Sequence, residues 1–363
     1  MISNLVSRIR GEVVRAFEPF APQAAAGAAG QPEEGRTDAN FAPPAGESVG
    51  VVLAVSGGAD SMCLADAVLA VASRLALRPL IAHLDHGLRG EASAADAEFV
   101  RSFAAAHRVP CIVERADVRA LARERKQSIE VAAREARYRF LARAAEDHGA
   151  RLVALAHHAD DQAETVLLRL IRGTGLQGLC GMQVHDPLPT ASHLIAVRPL
   201  LRVSRANIEQ YCRERQLQPR HDATNDELHY ARNRVRHELL PFLERYNPNI
   251  RATLVRLADT VASDVEIVEQ ATQEAFERIA QPADATIVVD RQAWCALSRG
   301  LQRATLREAV RQLKGDVAGL PYAAIEEARD VLNSDAQTGD IALMHDVRIE
   351  VTKRAFVVRK SPV

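Results

Sequence analysis

The segment Ser56-Gly57-Gly58-Ala59-Asp60-Ser61 joins a valine-rich apolar run, Val49 to Val55, to a helical pattern that begins near Asp60. Two consecutive glycines let the backbone approach a ligand closely. The Ser56 and Ser61 hydroxyls can donate to phosphate oxygens, and a helix starting here aims free N–H groups and the positive end of its dipole at the same point. These are the parts of an anion site. The Gly-Lys-Ser/Thr ending of a Walker loop is absent, so no lysine from this segment grips the β/γ-phosphates. The plainer reading is a strand-to-helix turn capped by Asp60. Spacing alone leaves open whether Asp60 caps the helix or faces a Mg²⁺, an ion that keeps several waters and uses only one or two protein carboxylates.

A second group lies at Ala156-His157-His158-Ala159-Asp160-Asp161-Gln162-Ala163-Glu164-Thr165. Asp161 and Glu164 are three apart and share a helical face. Near a helix N-terminus, two carboxylates either complement the dipole or belong to a site. His157, at the end of a strand, has a reference pKa near 6.5 and can exchange a proton at neutral pH or contact a phosphate. The same helix ends at Arg172-Gly173-Thr174-Gly175, where Gly173 reads as a C-cap and Arg172 as a possible phosphate neutraliser. Asp85-His86-Gly87-Leu88-Arg89 follows another strand. Residues 119–143 hold eight basic residues against three acidic ones, Arg134 and Arg137 among them, and residues 198–257 hold twelve arginines against seven acids, including Arg232, Arg234 and Arg236. A solvated helix face is the ordinary meaning of such runs; around a nucleotide site they suit nucleic-acid phosphates.

The elements that must position these residues alternate. Strands are expected at Val49–Val55, Leu80–Leu84, Cys111–Glu114, Leu152–Ala156 and His193–Val197. Helices are expected at about Asp60–Arg74, Ala92–His107, Glu130–Asp147, Asp160–Arg172 and Ser204–Arg215. This pattern implies βαβ units and an α/β, doubly wound, parallel five-stranded sheet, with ligands bound beyond the carboxyl ends of the strands. An amphipathic helix with Ile2, Leu5, Val6, Ile9 and Val13 on one face precedes it, followed by a low-complexity stretch, 21–48, read as a disordered linker. After Gln218 the alternation stops. A long helix is expected over Asn249–Ala280. A smaller helical/α+β C-terminal unit should follow, with a strand at Ile287–Val289, helices around Arg291–Lys314 and Tyr322–Asn333, and a closing meander. The organisation is therefore 1–48 helix plus linker, 49–240 α/β domain, 241–281 helical connector and 282–363 C-terminal domain. Arg291, Arg303, Arg307, Arg311 and Lys314 of that last domain offer contacts to a nucleic-acid backbone.

Composition narrows the classes. The chain has 363 residues, 47% apolar and 26% charged, enough for two domains with a sizeable core. No apolar run is long enough for a membrane span, and the N-terminus lacks a signal core. Cys63, Cys111, Cys180, Cys212 and Cys295 form no C-x-x-C, which argues against a zinc knuckle or dithiol centre and for scattered thiols in a reducing cytosol. Arginine outnumbers lysine 42 to 4, which fits either coding bias or phosphate binding.

SGGADS matches the SGGxDS signature of the N-type ATP pyrophosphatases. LDHGLRGEASAAD (84–96), EVAAREARYRFL (130–141), LAHHADDQAETVLLRLIRGTGLQGLCGM (155–182), RPLL (198–201) and YARNRVR (230–236) narrow the match. Over roughly residues 50–245 the chain resembles the tRNA(Ile)-lysidine synthetase family. The resemblance implies an adenine-nucleotide-hydrolase-like fold and ATP with Mg²⁺. It implies a ligase that adenylates the C2 carbonyl oxygen of the wobble cytidine in the CAU anticodon of an isoleucine tRNA, then lets free lysine displace AMP. On that reading Ser56, Gly57, Gly58, Ala59, Asp60 and Ser61 hold ATP, with Asp60 also near Mg²⁺. Asp161 and Glu164 suit the amino groups of lysine, while His157 and Arg172 belong to the site. Arg134, Arg137, Arg232, Arg234 and Arg236 lie by ATP or tRNA phosphates. The sequence leaves homodimerisation open. The rivals are a tRNA-thiolating enzyme of the same superfamily, which would want paired cysteines, and a non-catalytic nucleotide- or RNA-binding module.

Overall fold

Val51 and Leu53 turn to one side of the first strand and Val52 to the other, and all three are buried. A strand buried on both faces needs helices on both, which is the layering of a doubly wound sheet. The structure is a computed structural model and describes residues 3–22, 48–88, 90–220, 231–283, 285–317, 319–335 and 338–360. Most of the expected linker, Arg89 and Tyr230 lie outside the described residues. The chain divides into two compact units, Met1–Thr260 and Val261–Val363.

The first unit runs α1 (Asn4–Phe17), a 3-10 turn (Glu18–Phe20), β1 (Val49–Ala54), α2 (Ala59–Val71), β2 (Leu77–Asp85), α3 (Glu91–Ala106), β3 (Cys111–Arg115), α4 (Val118–Glu124) and α5 (Ile129–Asp147). It continues β4 (Leu152–Ala154), α6 (Ala159–Arg172), α7 (Leu176–Leu179), β5 (His185–Leu188), β6 (Ala191–Val197), α8 (Arg205–Glu214), α9 (Ala231–Arg234), a π turn (Val235–Leu239), α10 (Leu240–Glu244) and the start of α11 (Ile250–Ile279). The strand order is β3-β2-β1-β4-β6-β5. Five strands are parallel, as expected. The sheet has a sixth, β5, which pairs antiparallel with β6 as an edge hairpin. Its sequence, His-Asp-Pro-Leu followed by Pro189, reads as loop, because proline cannot donate to a ladder; an edge strand tolerates it. Pro79 is accommodated likewise, since β2 gains its second neighbour only where Ile81 pairs with Cys111.

One helical layer, built on α1, α2 and α8, packs Ile9, Val13, Phe17, Met62, Leu64, Ile208 and Tyr211 against the sheet. The other is α5, with Tyr138, Phe140 and Leu141. The N-terminal helix thus shares the first unit's core. Ser3, Ser128 and Ser204 cap α1, α5 and α8 through hydrogen bonds to the N3 amides. Strand order reverses between β1 and β4, so the crevice beyond their carboxyl ends is the switch point of the sheet. The glycine loop leaves β1 there and the Ala-His-His segment leaves β4.

The second unit carries a five-stranded antiparallel sheet ordered β7-β8-β11-β10-β9, from β7 (Ala280–Ala283), β8 (Thr286–Asp290), β9 (Gly339–Met344), β10 (Val347–Val351) and β11 (Ala355–Lys360). Helices α12 (Arg291–Cys295), α13 (Arg299–Lys314) and α14 (Tyr322–Asn333) complete it around Trp294, which meets Phe356 edge-on at 5.4 Å and donates to Thr305 at 3.0 Å. Phe276 and Ile279 at the end of α11 belong to this core, so that end of the expected connector is part of the second unit.

Candidate functional site

The glycine loop is built around Ser61. Its hydroxyl accepts from the Ser56 and Gly57 amides at 3.1 and 3.2 Å and donates to the Gly58 carbonyl at 3.0 Å. Ser61 is therefore an internal pin of the loop more than a free ligand. Gly57 sits at φ +92°, and a Cβ there would meet the Phe99 ring at 3.4 Å. Gly58 has ordinary φ and is the N-cap of α2; its missing Cβ would meet nothing nearer than Ser56 Oγ at 3.7 Å. The space on that side is open, as close approach of a phosphate requires. Behind the loop, buried His83 of β2 holds the Val55 carbonyl through Nδ1 at 2.8 Å.

Asp60, in the first turn of α2, pairs one carboxylate oxygen with Arg205 of α8, while its buried Oδ1 has no hydrogen-bond partner among the described residues. Facing that oxygen is His158, the N-cap of α6. His158 Nε2 lies 3.7 Å from Asp60 Oδ1 and 3.4 Å from Asp161 Oδ2, and Nδ1 lies 3.6 Å from Asp160 Oδ2. Burial alone would lower this imidazole's pKa; three surrounding carboxylates, Asp160 foremost, overcome it and raise it. His158 thus joins the N-termini of α2 and α6. Asp160 also accepts from the Arg205 amide at 2.9 Å and from Arg251 at 3.1 Å, fixing α8 and α11 to α6.

His157 has the opposite surroundings. Burial, then the charges of Arg137, Arg198 and Arg232, outweigh the pull of Asp161 and hold it well below the usual histidine range. It is a neutral imidazole at physiological pH, and its buried Nδ1 has no hydrogen-bond partner among the described residues.

Asp161 and Glu164 meet the residue 232–236 turn. Arg232 donates to Glu164 at 2.7 Å and to Asp161 at 2.9 Å; Arg236 donates to both Glu164 oxygens and lies 3.4 Å from Asp161. Glu164 is 0% exposed, while Asp161 and both guanidiniums keep some surface. Two carboxylates and two guanidiniums thus form one cluster beside His158. Glu164, expected as a direct ligand for an amino group, instead has both oxygens engaged by arginine. Arg137 on α5 is half-buried, with no carboxylate partner among the described residues. Its guanidinium lies 5.3 Å from the Tyr138 ring, and Arg134 lies 5.0 Å from that ring.

Three expectations meet a different geometry. Arg172 is exposed at the last turn of α6, roughly 18 Å along the axis from Asp160 at 1.5 Å per residue, so it is not brought to this cluster. Arg234 points outward, 3.6 Å from Glu238 on the next turn. In the second unit, Arg303 pairs with Glu326, Arg311 with Glu308 and Lys314 with Asp346, and buried Arg291 donates to the carbonyls of Leu332 and Ser334. These charges are satisfied within the unit.

His158, Asp160, Arg205 and Arg251 also stand in this cluster, and the sequence does not single them out. The first two lie inside the quoted motif, where spacing cannot say which of two adjacent histidines faces the carboxylates. The two arginines carry no local signal at all. No disulfide joins the five cysteines, and burial raises Cys63 and Cys212, the latter to about 11, so neither is a ready thiolate. No helix among the described residues is long and apolar enough to cross a membrane.

Comparison with known proteins agrees with this geometry. A PP-loop domain model for ATP binding matches residues 35–243. The chain is 39% identical over 302 residues to the tRNA(Ile)-lysidine synthase of Geobacter sulfurreducens, covering 82% of this chain and 62% of that one. It is 36% identical over 271 residues to the enzyme of that name from Geobacillus kaustophilus, covering 75% and 58%. It spans about three-fifths of the length of these relatives. Among solved structures, a U34-tRNA thiolase from Methanococcus maripaludis, which holds a 4Fe–4S cluster, superposes with a TM-score of 0.52 at 14% identity, over 71% of this chain and 78% of that one; the likeness is one of fold. With its glycine loop at the switch point of a doubly wound sheet, and with that match over more than half its length, the chain belongs to the ATP-binding PP-loop family.

Proposed function

We propose that this protein ligates free lysine to C2 of the wobble cytidine in the CAU anticodon of an isoleucine tRNA, consuming ATP and releasing pyrophosphate and AMP. The carrying observation is the Asp161–Glu164–Arg232–Arg236 cluster beside the phosphate loop. A free amino acid presents an ammonium and a carboxylate on one carbon. Asp161 suits the ammonium, and the forks of Arg232 and Arg236 suit the carboxylate. Glu164, without exposed surface, holds the two guanidiniums in place.

ATP fits the loop. The open side of Gly58 admits a phosphate, with the amides of Gly58, Ala59 and Asp60 at the helix N-terminus to receive it. The orphaned Asp60 Oδ1 fits a Mg²⁺, which would neutralise charge on the departing pyrophosphate. The cytidine O2 attacks the α-phosphorus and pyrophosphate leaves; the lysine amine then attacks C2 and AMP leaves with the oxygen. A lysine ammonium, near pKa 10.4, must lose its proton before attack. His157 is too weak a base to take it efficiently. The guanidinium field that lowers His157 would also lower the pKa of an amine placed beside it, and we assign His157 to hydrogen bonding in the site. Arg137 and Arg134, with Arg234 on the outer face, suit tRNA phosphates. We take residues 49–240 as the catalytic domain, with α1 in its core, 241–281 as the connector and 282–363 as an accessory tRNA-binding unit, all acting in the cytoplasm.

The test is pyrophosphate release from ATP. Release that needs the CAU-anticodon tRNA, and that continues past one equivalent per tRNA only when lysine is present, is expected. Release that needs a sulfur donor instead of lysine would move the protein to the thiolating enzymes, and none under any condition would leave a binding module.

A further inference from the structure

Helix α10 carries apolar side chains on its exposed side as well as on its buried one. Leu240 is buried and Leu239 and Leu243 pack with it against Ala163, Val166 and Leu167 of α6, the helix that bears Asp160, Asp161 and Glu164. Facing outward are Phe242 of α10, 49% exposed, and Tyr246 in the turn just after the helix, 77% exposed, with ring centroids 5.4 Å apart and planes inclined at 61°. Aromatics are only 4% of this chain, and this pair stands in solvent. Between the rings in sequence is Arg245, exposed and without a carboxylate partner among the described residues. The preceding residue, Glu244, receives Arg251 Nε at 2.7 Å, and the same guanidinium reaches Asp160 at 3.1 Å. A single arginine side chain therefore separates the aromatic turn from the carboxylates at the start of α6.

We propose that Phe242 and Tyr246 form a stacking platform for unpaired RNA bases next to the reacting nucleotide. The inference rests on the function proposed above and specifies how its nucleic acid is held. An enzyme that works on a base must draw it out of its stack, and the neighbouring bases lose stacking when it leaves. Exposed aromatic rings replace that stacking without reading sequence, and an adjacent arginine receives the intervening phosphate. A fully paired duplex has no free base face to offer, so the platform selects a loop.

The experiment uses the full chain and two probes, a hairpin RNA carrying the CAU anticodon loop and a duplex of the same stem. The wild type should bind the hairpin more tightly than the duplex. A Phe242→Ala/Tyr246→Ala variant should bind the hairpin roughly ten- to a hundredfold more weakly, with duplex and ATP binding unchanged, as expected for loss of one to two stacked bases. Phe242→Tyr/Tyr246→Phe, which keeps both rings, should restore hairpin affinity and the tRNA Michaelis constant. Equal hairpin affinity in the alanine variant overturns the platform, as does a ring-preserving variant as weak as alanine. So does a change in oligomeric mass accompanying the loss, which would make the pair a protein contact. If the wild type modifies the tRNA while the alanine variant matches it, the platform fails and the function stands. If hairpin binding depends on the rings but no lysine is transferred, the function fails and the platform stands. A wild type that binds no hairpin overturns both.

Discussion

Arg232 donates its Nε to Glu164 Oε2 at 2.7 Å, closing 68 residues of chain onto a carboxylate with no exposed surface. Arg236 binds the same carboxylate from one turn later, from within the π turn Val235–Leu239. The anchor sets where two guanidiniums stand relative to Asp161, whose carboxylate remains the reachable one.

Asp161 and Glu164 should therefore fail in different ways. Glu164→Ala strands two half-buried guanidiniums and should cost about 3 kcal/mol, the low end for breaking a buried pair, since part of each arginine stays in water. Asp161→Asn should fold normally yet lose about one to two decades of lysine efficiency, as one charge-assisted hydrogen bond is removed. Thermal melts and lysine-dependent pyrophosphate release separate the two; identical behaviour of both variants would refute the division of labour.

The two loop glycines make a second contrast. Gly57→Ala places a side chain at φ +92° against Phe99 and should destabilise the fold by about 1–3 kcal/mol. Gly58→Val meets no such strain and should fold with a nearly unchanged melting temperature, but its branched side chain fills the phosphate space. Retained ATP binding in Gly58→Val would remove the loop from the nucleotide site.

Arg137 stands near Arg134 and Arg232 with no carboxylate of its own among the described residues, and burial lowers its pKa first of all. Arg137→Met should leave the melting temperature unchanged or raised while the Michaelis constant for tRNA or ATP rises about tenfold. A large loss of stability with normal kinetics would make the residue structural.

Asp66, buried on α2, accepts from Tyr211 at 2.6 Å and from Arg215 at 3.0 and 3.2 Å. Burial pushes its pKa up, but the hydrogen bonds from Arg215 and Tyr211, with the charges of Arg215 and Arg10, win and lower it below 3.8. A lowered carboxylate stabilises the fold fully above its unfolded pKa, and that stabilisation disappears as pH falls through the lower folded value. Asp66→Asn should lose about 2 kcal/mol at neutral pH and show a flatter acid limb. Denaturant titrations from pH 7 down to pH 2 would expose the difference, and parallel curves would deny Asp66 this role.

The alternation of valine-rich runs with helical periods was enough to place β1, β2, β3, β4 and β6 and the helices α2, α3, α5 and α6, though not the short α4 and α7, because a doubly buried parallel strand has a local signature. The glycine loop and the Asp161–Glu164 spacing were equally legible, being set by a few consecutive residues. β5 was not, since its prolines violate strand preference and only its edge position excuses them. Nor was the use of charge. Composition offered twelve arginines between 198 and 257 as equivalent; packing made Arg232 and Arg236 partners of a buried glutamate, Arg205 a partner of Asp60 and Arg251 a link to Asp160, and left Arg234 facing out. The two adjacent histidines look alike in sequence, yet His158 lies among three carboxylates and His157 near three guanidiniums, so their pKa values move in opposite directions. Local sequence sets backbone conformation through short-range sterics and periodicity, whereas the sign and strength of an electrostatic environment depend on groups brought together from distant parts of the chain, and only the tertiary fold decides those.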